Sequence, residues 1–156
     1  MRYLSIMKLS VQVNVNAPVS TVWQLLVDIE NCADRIGGID KIEVLERGDK
    51  NMLGFKWKET RTMFGKEATE TMWITEIVPN THYDTRAESH GSIYESRMWV
   101  AEDGDNTILG MEFNGIPQTF GAKLMGWLMG GMMKKSLCKA MSKDLQDIKA
   151  AAESIN

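Results

Sequence analysis

A chain of 156 residues, 44% apolar and 25% charged, has the size and composition of one soluble globular domain. Such a domain buries roughly two-thirds of its unfolded surface. Eighteen basic against 21 acidic residues leave a net charge of −3, which argues against a general nucleic-acid binder; two histidines and two well-separated cysteines, Cys32 and Cys138, argue against a zinc cluster, a disulfide framework or a Cys/His nucleophile pair.

The first periodic signal is Lys8 to Asn16, where Leu9, Val11, Val13 and Val15 alternate with polar residues. Period two with β-branched side chains predicts a half-buried strand. Pro18 suits the start of a helix, and Val19, Val22, Trp23, Leu26 and Val27 follow at helical spacing. That helix is expected to stop near Asp28, with a second short one from about Ile29 to Ile36 ended by Gly37-Gly38.

Consecutive antiparallel strands are expected next: Ile42–Glu46, Leu53–Met63, Glu67–Val78, Tyr83–Ser89, Ile93–Ala101 and Thr107–Phe113. Turn residues separate them, most clearly Asp103-Gly104-Asp105-Asn106. Pro117 is expected to end the sheet. From about Thr119 to Ser154 there is no proline, and Leu137, Met141, Leu145 and Ile148 recur at three- and four-residue steps, the mark of an amphipathic helix. Its first half is apolar nearly all round. Gly121, Gly126, Gly130 and Gly131 weaken it, so close packing on the sheet, room for a ligand or a kink is expected to offset their cost. The most apolar stretch, Phe120 to Met133, is interrupted by Lys123 and glycines and falls short of the about 20 residues of a membrane span. No signal peptide is read at the N-terminus, and reduced thiols in a cytoplasmic protein are expected.

Strand, two short helices, about six or seven strands and a long helix is the order of the helix-grip fold. That is an α+β fold in which a curved antiparallel sheet wraps around a long C-terminal helix. The local sequence resembles the START-like (SRPBCC) superfamily, in its polyketide cyclase/dehydrase-like branch. Carrying the resemblance are Asn16-Ala17-Pro18-Val19-Ser20-Thr21-Val22-Trp23 with Leu26 and Asp28, then Ile74-Thr75-Glu76-Ile77-Val78-Pro79, then Gly104-Asp105-Asn106-Thr107 and the final helix. It covers nearly the whole chain, so residues 1–156 are expected to form a single domain. The resemblance implies a hydrophobic cavity between sheet and helix for a lipid, polyketide or similar molecule. It does not imply one reaction, because the superfamily includes carriers, cyclases and dehydratases, and proteins that assist other proteins.

Strand parity predicts the cavity wall. Phe55, Trp57, Glu59, Arg61 and Met63 share one face and carry most of the apolar bulk, so they are expected inward. A two-residue turn would pair residues whose numbers sum to 129 or 131, and either register puts Ala68, Glu70, Met72 and Ile74 on that face; a bulge would invert it. The same reasoning gives Tyr83, Thr85, Ala87 and Ser89, then Tyr94, Ser96, Met98 and Val100, then Leu109, Met111 and Phe113. Trp57, Met72, Tyr83, Tyr94, Met98, Met111, Phe113, Leu124 and Leu128 are the expected ligand-contacting residues. Twelve methionines suit either a cavity for variable shapes or plain core filling.

Glu59, Arg61 and Glu70 are the polar exceptions on the inward face, and charges there are costly unless paired. One arginine between two glutamates would pair at least one. A desolvated carboxylate is a candidate general acid or base, and the guanidinium fork a candidate holder of a ligand oxygen. A cross-strand charge cluster at the rim is the competing reading. His82, Asp84, Glu88 and His90 share the opposite face and read as a solvated surface, so no metal is expected. GxGxxG, GxxxxGK[ST] and GxSxG patterns are absent, which leaves no support for nucleotide binding or a hydrolase triad. Lys134, Lys135, Lys139 and Lys143 read as a solvated helix face, with contact to an anionic membrane as the sharper alternative. The leading expectation is therefore a binder of a hydrophobic small molecule, with no cofactor, no nucleic acid and no stable membrane insertion; a homodimer stays open. A cyclase or dehydratase using a cavity carboxylate and Arg61 comes second, and a chaperone-assisting interaction module without an open cavity third.

Overall fold

The computed structural model describes residues 7–63, 65–89 and 91–155, with all their side chains except those of residues 7 and 125–129. Strand β1 (Met7–Val15) leads into helix α1 (Val19–Val27) and a 3₁₀ helix (Ile29–Asp34). Six strands follow: β2 (Lys41–Glu46), β3 (Lys56–Met63), β4 (Lys66–Val78), β5 (His82–Ser89), β6 (Ser92–Asp103) and β7 (Asn106–Pro117). Helix α2 (Phe120–Ser154) closes the chain. All seven strands form one antiparallel sheet in the order β1-β7-β6-β5-β4-β3-β2. This is the helix-grip fold: α2 lies across β1 and β7 and touches α1, so the helices cover the concave face.

Two strands differ from their sequence-based bounds by more than two residues. β3 begins at Lys56 because Met52 and Gly54 take positive φ and the Asp49 carboxylate accepts the Asn51 and Leu53 N–H groups, curling the chain before it. β7 runs on to Pro117 because β6 pairs with it as far as Ser92 opposite Pro117. Proline's missing N–H is tolerated at that strand end.

The core packs α1 and the second half of α2 onto the sheet, with Val15, Val22, Ile74, Leu109 and Leu145 almost fully enclosed. Thr107 is the one residue of the fully buried group with a hydroxyl, and its Oγ1 donates to the Ala17 carbonyl at 2.7 Å, tying β7 to the corner between β1 and α1. Thr107→Val keeps the shape and orphans that carbonyl. It is expected to lower the unfolding free energy in urea by about 1–2 kcal/mol, while Thr107→Ser loses less.

The β5–β6 turn also seats α2. Gly91 sits at φ +73°, and its carbonyl accepts from the Gln118 and Thr119 backbones. A Cβ on Gly91 would lie 2.5 Å from the Thr119 hydroxyl, which itself caps α2 by accepting from the Ala122 N–H. On the convex face Trp99 lies over Gly110, its cross-strand partner, where a Cβ would fall 2.1 Å from the indole.

The two halves of α2 are built differently. The second half buries Met141, Leu145, Ile148 and Ala152 and is bound by Asp144 to Arg61, Asp147 to the Gly37 N–H, Lys149 to the Asn14 carbonyl and Glu153 to the Asn16 N–H. In the first half Phe120, Leu124, Met132 and Met133 are exposed. Gly121, Gly130 and Gly131 have open space where a Cβ would stand, so close packing does not explain them. Each costs the helix about 1 kcal/mol relative to alanine.

Candidate active site: a pocket with a buried arginine fork

A pocket of about 110 Å³ opens between the sheet, α1 with the following 3₁₀ helix, and α2. Inward parity delivers Trp57 from β3, Met72 from β4, Tyr83 and Thr85 from β5, Ser96 and Met98 from β6, and Met111 from β7. The β3–β4 register pairs Glu59 with Glu70 and Trp57 with Met72, so the numbers sum to 129. The β4–β5 ladder shifts between Ile74 and Glu76, and beyond it Ile77, not Glu76, shares Tyr83's register. The bulge therefore falls past the wall it could have inverted. Leu25, Leu26, Ile29 and Cys32 roof one side, and Asp144 and Ile148 of α2 close another.

One end is charged. Arg61 Nε donates to Glu59 Oε2 at 2.8 Å, while its Nη1 and Nη2 donate to the two Asp144 oxygens at 3.1 and 2.7 Å. The side chains of Glu59, Asp144 and Arg61 are 15%, 11% and 23% exposed, so this is a largely desolvated fork rather than a surface pair. Burial works against the charged guanidinium. The Asp144 hydrogen bond and the charges of Glu59 and Asp144 outweigh it and raise the Arg61 pKa above its ordinary value. Gly38 lies against the fork, where a Cβ would come within 3.2 Å of Arg61 Nη1. Three of the five guanidinium N–H groups are used by these carboxylates, which leaves donors on Nη1 and Nη2.

The other polar groups are neutral. Burial, with the charge of Glu59 adding to it, pushes the Cys32 thiol up to about 12, against the opposing pull of Arg35 and Arg61; it is no thiolate nucleophile at neutral pH. Burial likewise raises Tyr83, which stays a phenol. Thr85 and Ser96 hydrogen-bond each other across β5 and β6. The Trp57 indole lines the pocket, and its buried Nε1–H has no hydrogen-bond partner among the described residues.

The sequence profile of a family described as polyketide cyclase/dehydrase and lipid transport matches residues 7–153. The chain belongs to that family. Among solved structures, the Zhui aromatase/cyclase from Streptomyces sp. R1128 superposes with a TM-score of 0.80 at 19% identity, covering 94% of this chain and 93% of that one. A START superfamily protein from Mycobacterium smegmatis gives 0.80 at 16% identity, covering 96% and 99%. A protein from Thermus thermophilus gives 0.81 at 13%, covering 96% and 99%. At such identities these likenesses establish the fold. Curated protein sequences contain no match. The family supports a hydrophobic ligand-binding or cyclase role.

Within this member of the polyketide cyclase/dehydrase family, the structure brings together Trp57, Glu59, Arg61, Met72, Tyr83, Met98 and Met111. Glu70 stands across the ladder from Glu59, outside the pocket-lining set, and Arg61 turns instead to Asp144, whose two oxygens match the guanidinium fork. Tyr94 and Phe113 stack on each other, centroids 5.8 Å apart, beyond the pocket. Leu124 is exposed, on the uncovered first turns of α2; the Leu128 side chain lies outside the described residues. Sequence reasoning misses Asp144. The signal is there: it falls three residues after Met141 and four before Ile148, an acid on an apolar stripe that must find a partner.

On the convex face the ligand atoms of Glu76, His82 and Asp84 lie within 4.8 Å of one another. Arg97 binds Asp84 through Nε and Nη2 at 2.7 and 2.8 Å and reaches Glu76 at 3.4 Å, taking the place a cation would fill. Its hydrogen bond holds the Asp84 carboxyl below the usual range. Glu88 instead binds Arg86, and His90 lies outside the described residues.

Proposed function

We propose that this protein binds a hydrophobic small molecule, a lipid, polyketide or similar compound carrying at least one oxygen acceptor, between the sheet and α2. The observation that carries the reading is the pocket with its largely apolar wall, lined by Trp57, whose buried Nε1–H has no partner among the described residues. An orphaned buried donor costs about 1–3 kcal/mol, a cost that a ligand carbonyl would remove once a shift of the wall brings the indole N–H into its reach. The spare N–H groups of Arg61 supply a second anchor at the charged end. About 110 Å³ is well below the roughly 300 Å³ at which small-molecule sites usually begin. Methionines 72, 98 and 111 are the flexible part of the wall, able to change rotamer and admit a larger guest.

A cyclase or dehydratase reading is favoured by one feature, two carboxylates sharing a single guanidinium at the pocket wall. There Glu59 or Asp144 would move a proton while Arg61 steadied the oxygen that gains charge, and much of the rate would come from holding one conformer of a reactive chain.

Native mass spectrometry of freshly purified protein, followed by solvent extraction, tests whether an apolar molecule co-purifies. A matched probe pair tests the carrier geometry: 1-tetralone has a carbonyl, and tetralin lacks it. By calorimetry tetralone is expected to bind about three- to tenfold more tightly, with the difference lost in Trp57→Phe. A bare mass together with no binding of either probe would sink the proposal and leave the filled-core interaction module.

A further inference from the structure

We propose that the first half of α2 docks on the surface of an anionic lipid bilayer. Between Phe113 and Lys143 there is no Asp or Glu, yet Lys123, Lys134, Lys135, Lys139 and Lys143 all fall there, in a chain whose net charge is −3. All five are exposed, and Lys143 is ion-paired with Asp147 one turn further on. Interleaved with them are Phe120, 82% exposed, and Met132, 78% exposed, with Leu124 and Met133 also open to solvent. A soluble helix normally hides such side chains.

The placement is ordered. Phe120, Leu124, Gly131 and Lys135 follow one another at four-, seven- and four-residue steps, and Gly121, Met132 and Lys139 fall on the neighbouring rows of the same face. In helical projection Phe120 and Gly131 lie within about 40° of Leu145, so the row that meets the sheet in the second half of α2 runs on into solvent in the first half. Aromatic and aliphatic side chains bordered by lysines are the make-up of a helix that lies in the plane of a membrane interface. The apolar groups enter the headgroup boundary, and the long lysine stems carry their charge to the lipid phosphates. Among the described residues no helix is long and apolar enough to cross a membrane, so this is surface docking.

The glycines supply an independent argument. Three of them weaken this half of the helix while nothing packs where their side chains would be. An apolar surface would return the lost stability. The body of the protein stays attached meanwhile, because the bonds from Asp144, Asp147, Lys149 and Glu153 hold the other half of α2. A second copy of the chain fits the face poorly. A twofold contact sets the patch against itself, with lysines on both sides and no carboxylate in it to pair with them.

Co-sedimentation with phosphatidylcholine vesicles, and with phosphatidylcholine–phosphatidylserine vesicles, tests the proposal on the full chain. Binding is expected to the second composition only and to fall as salt rises. Lys135→Glu/Lys139→Glu is expected to lower the partition coefficient at least about tenfold. Phe120→Ser/Met132→Ser is expected to lower it as well, and all these positions are exposed, so far-ultraviolet circular dichroism should be unchanged in solution. No binding to the anionic vesicles overturns the proposal. So does binding that ignores both pairs of substitutions, and so does a solution dimer that Phe120→Ser/Met132→Ser turns into a monomer.

Discussion

Asp144→Ala is expected to cost about 3 kcal/mol of folding stability, because it strands the Arg61 charge in the interior with Glu59 as its remaining partner. The same physics predicts that removing all three charges is far milder. Glu59→Met/Arg61→Met/Asp144→Leu fills the space with apolar atoms and leaves no stranded charge, so it should fold within about 1 kcal/mol of the parent. Urea unfolding of Asp144→Ala and of the triple variant measures the two cases. A loss under about 1 kcal/mol for Asp144→Ala would mean that water reaches the fork and screens it. A triple variant as unstable as the single would mean that the fork also shapes the wall. Either outcome bears on function, since the fork ties the helix that closes the pocket to the strand that lines it.

Leu109→Ala is expected to lose about 3–5 kcal/mol, while Met111→Ala, two residues along the same strand and on the same face, loses less than half of that. Leu109 is fully enclosed in the main core, whereas Met111 is half-buried and borders the pocket. A side chain beside a void already lacks partner atoms on one side, so its removal forfeits fewer contacts. Met111→Ala also enlarges the pocket and should tighten binding of bulkier apolar probes, measured alongside its unfolding curve. Equal losses at the two positions would show that Met111 is packed as solidly as Leu109 and that the pocket is a gap of no consequence.

Much of this molecule was legible in local sequence patterns. Alternation in Lys8–Asn16 marked β1, and the recurrence of Leu137, Met141, Leu145 and Ile148 marked the packed half of α2. Parity along β3 placed Trp57, Glu59 and Arg61 on one face, and the tight β3–β4 turn carried Met72 onto it. Period two and period 3.6 are properties of a short stretch of backbone, so they survive without knowledge of the rest of the chain.

What the sequence could not decide is where α2 comes to rest. By local adjacency Glu70 was the natural partner for Arg61, but a guanidinium is satisfied by whichever carboxylate offers two oxygens in its plane. That carboxylate arrives from Asp144, 83 residues away. Tyr94 and Phe113 lay on the correct face but found each other instead of the pocket. Leu124 followed the helical pattern and still remained in solvent. The element order, the strand faces and the family were determined by the sequence itself, because short-range backbone geometry enforces them. The pocket, its charged end and the uncovered half of α2 were decided only in the tertiary structure, because they depend on how far one long helix overlaps a curved sheet, and no local periodicity encodes that distance.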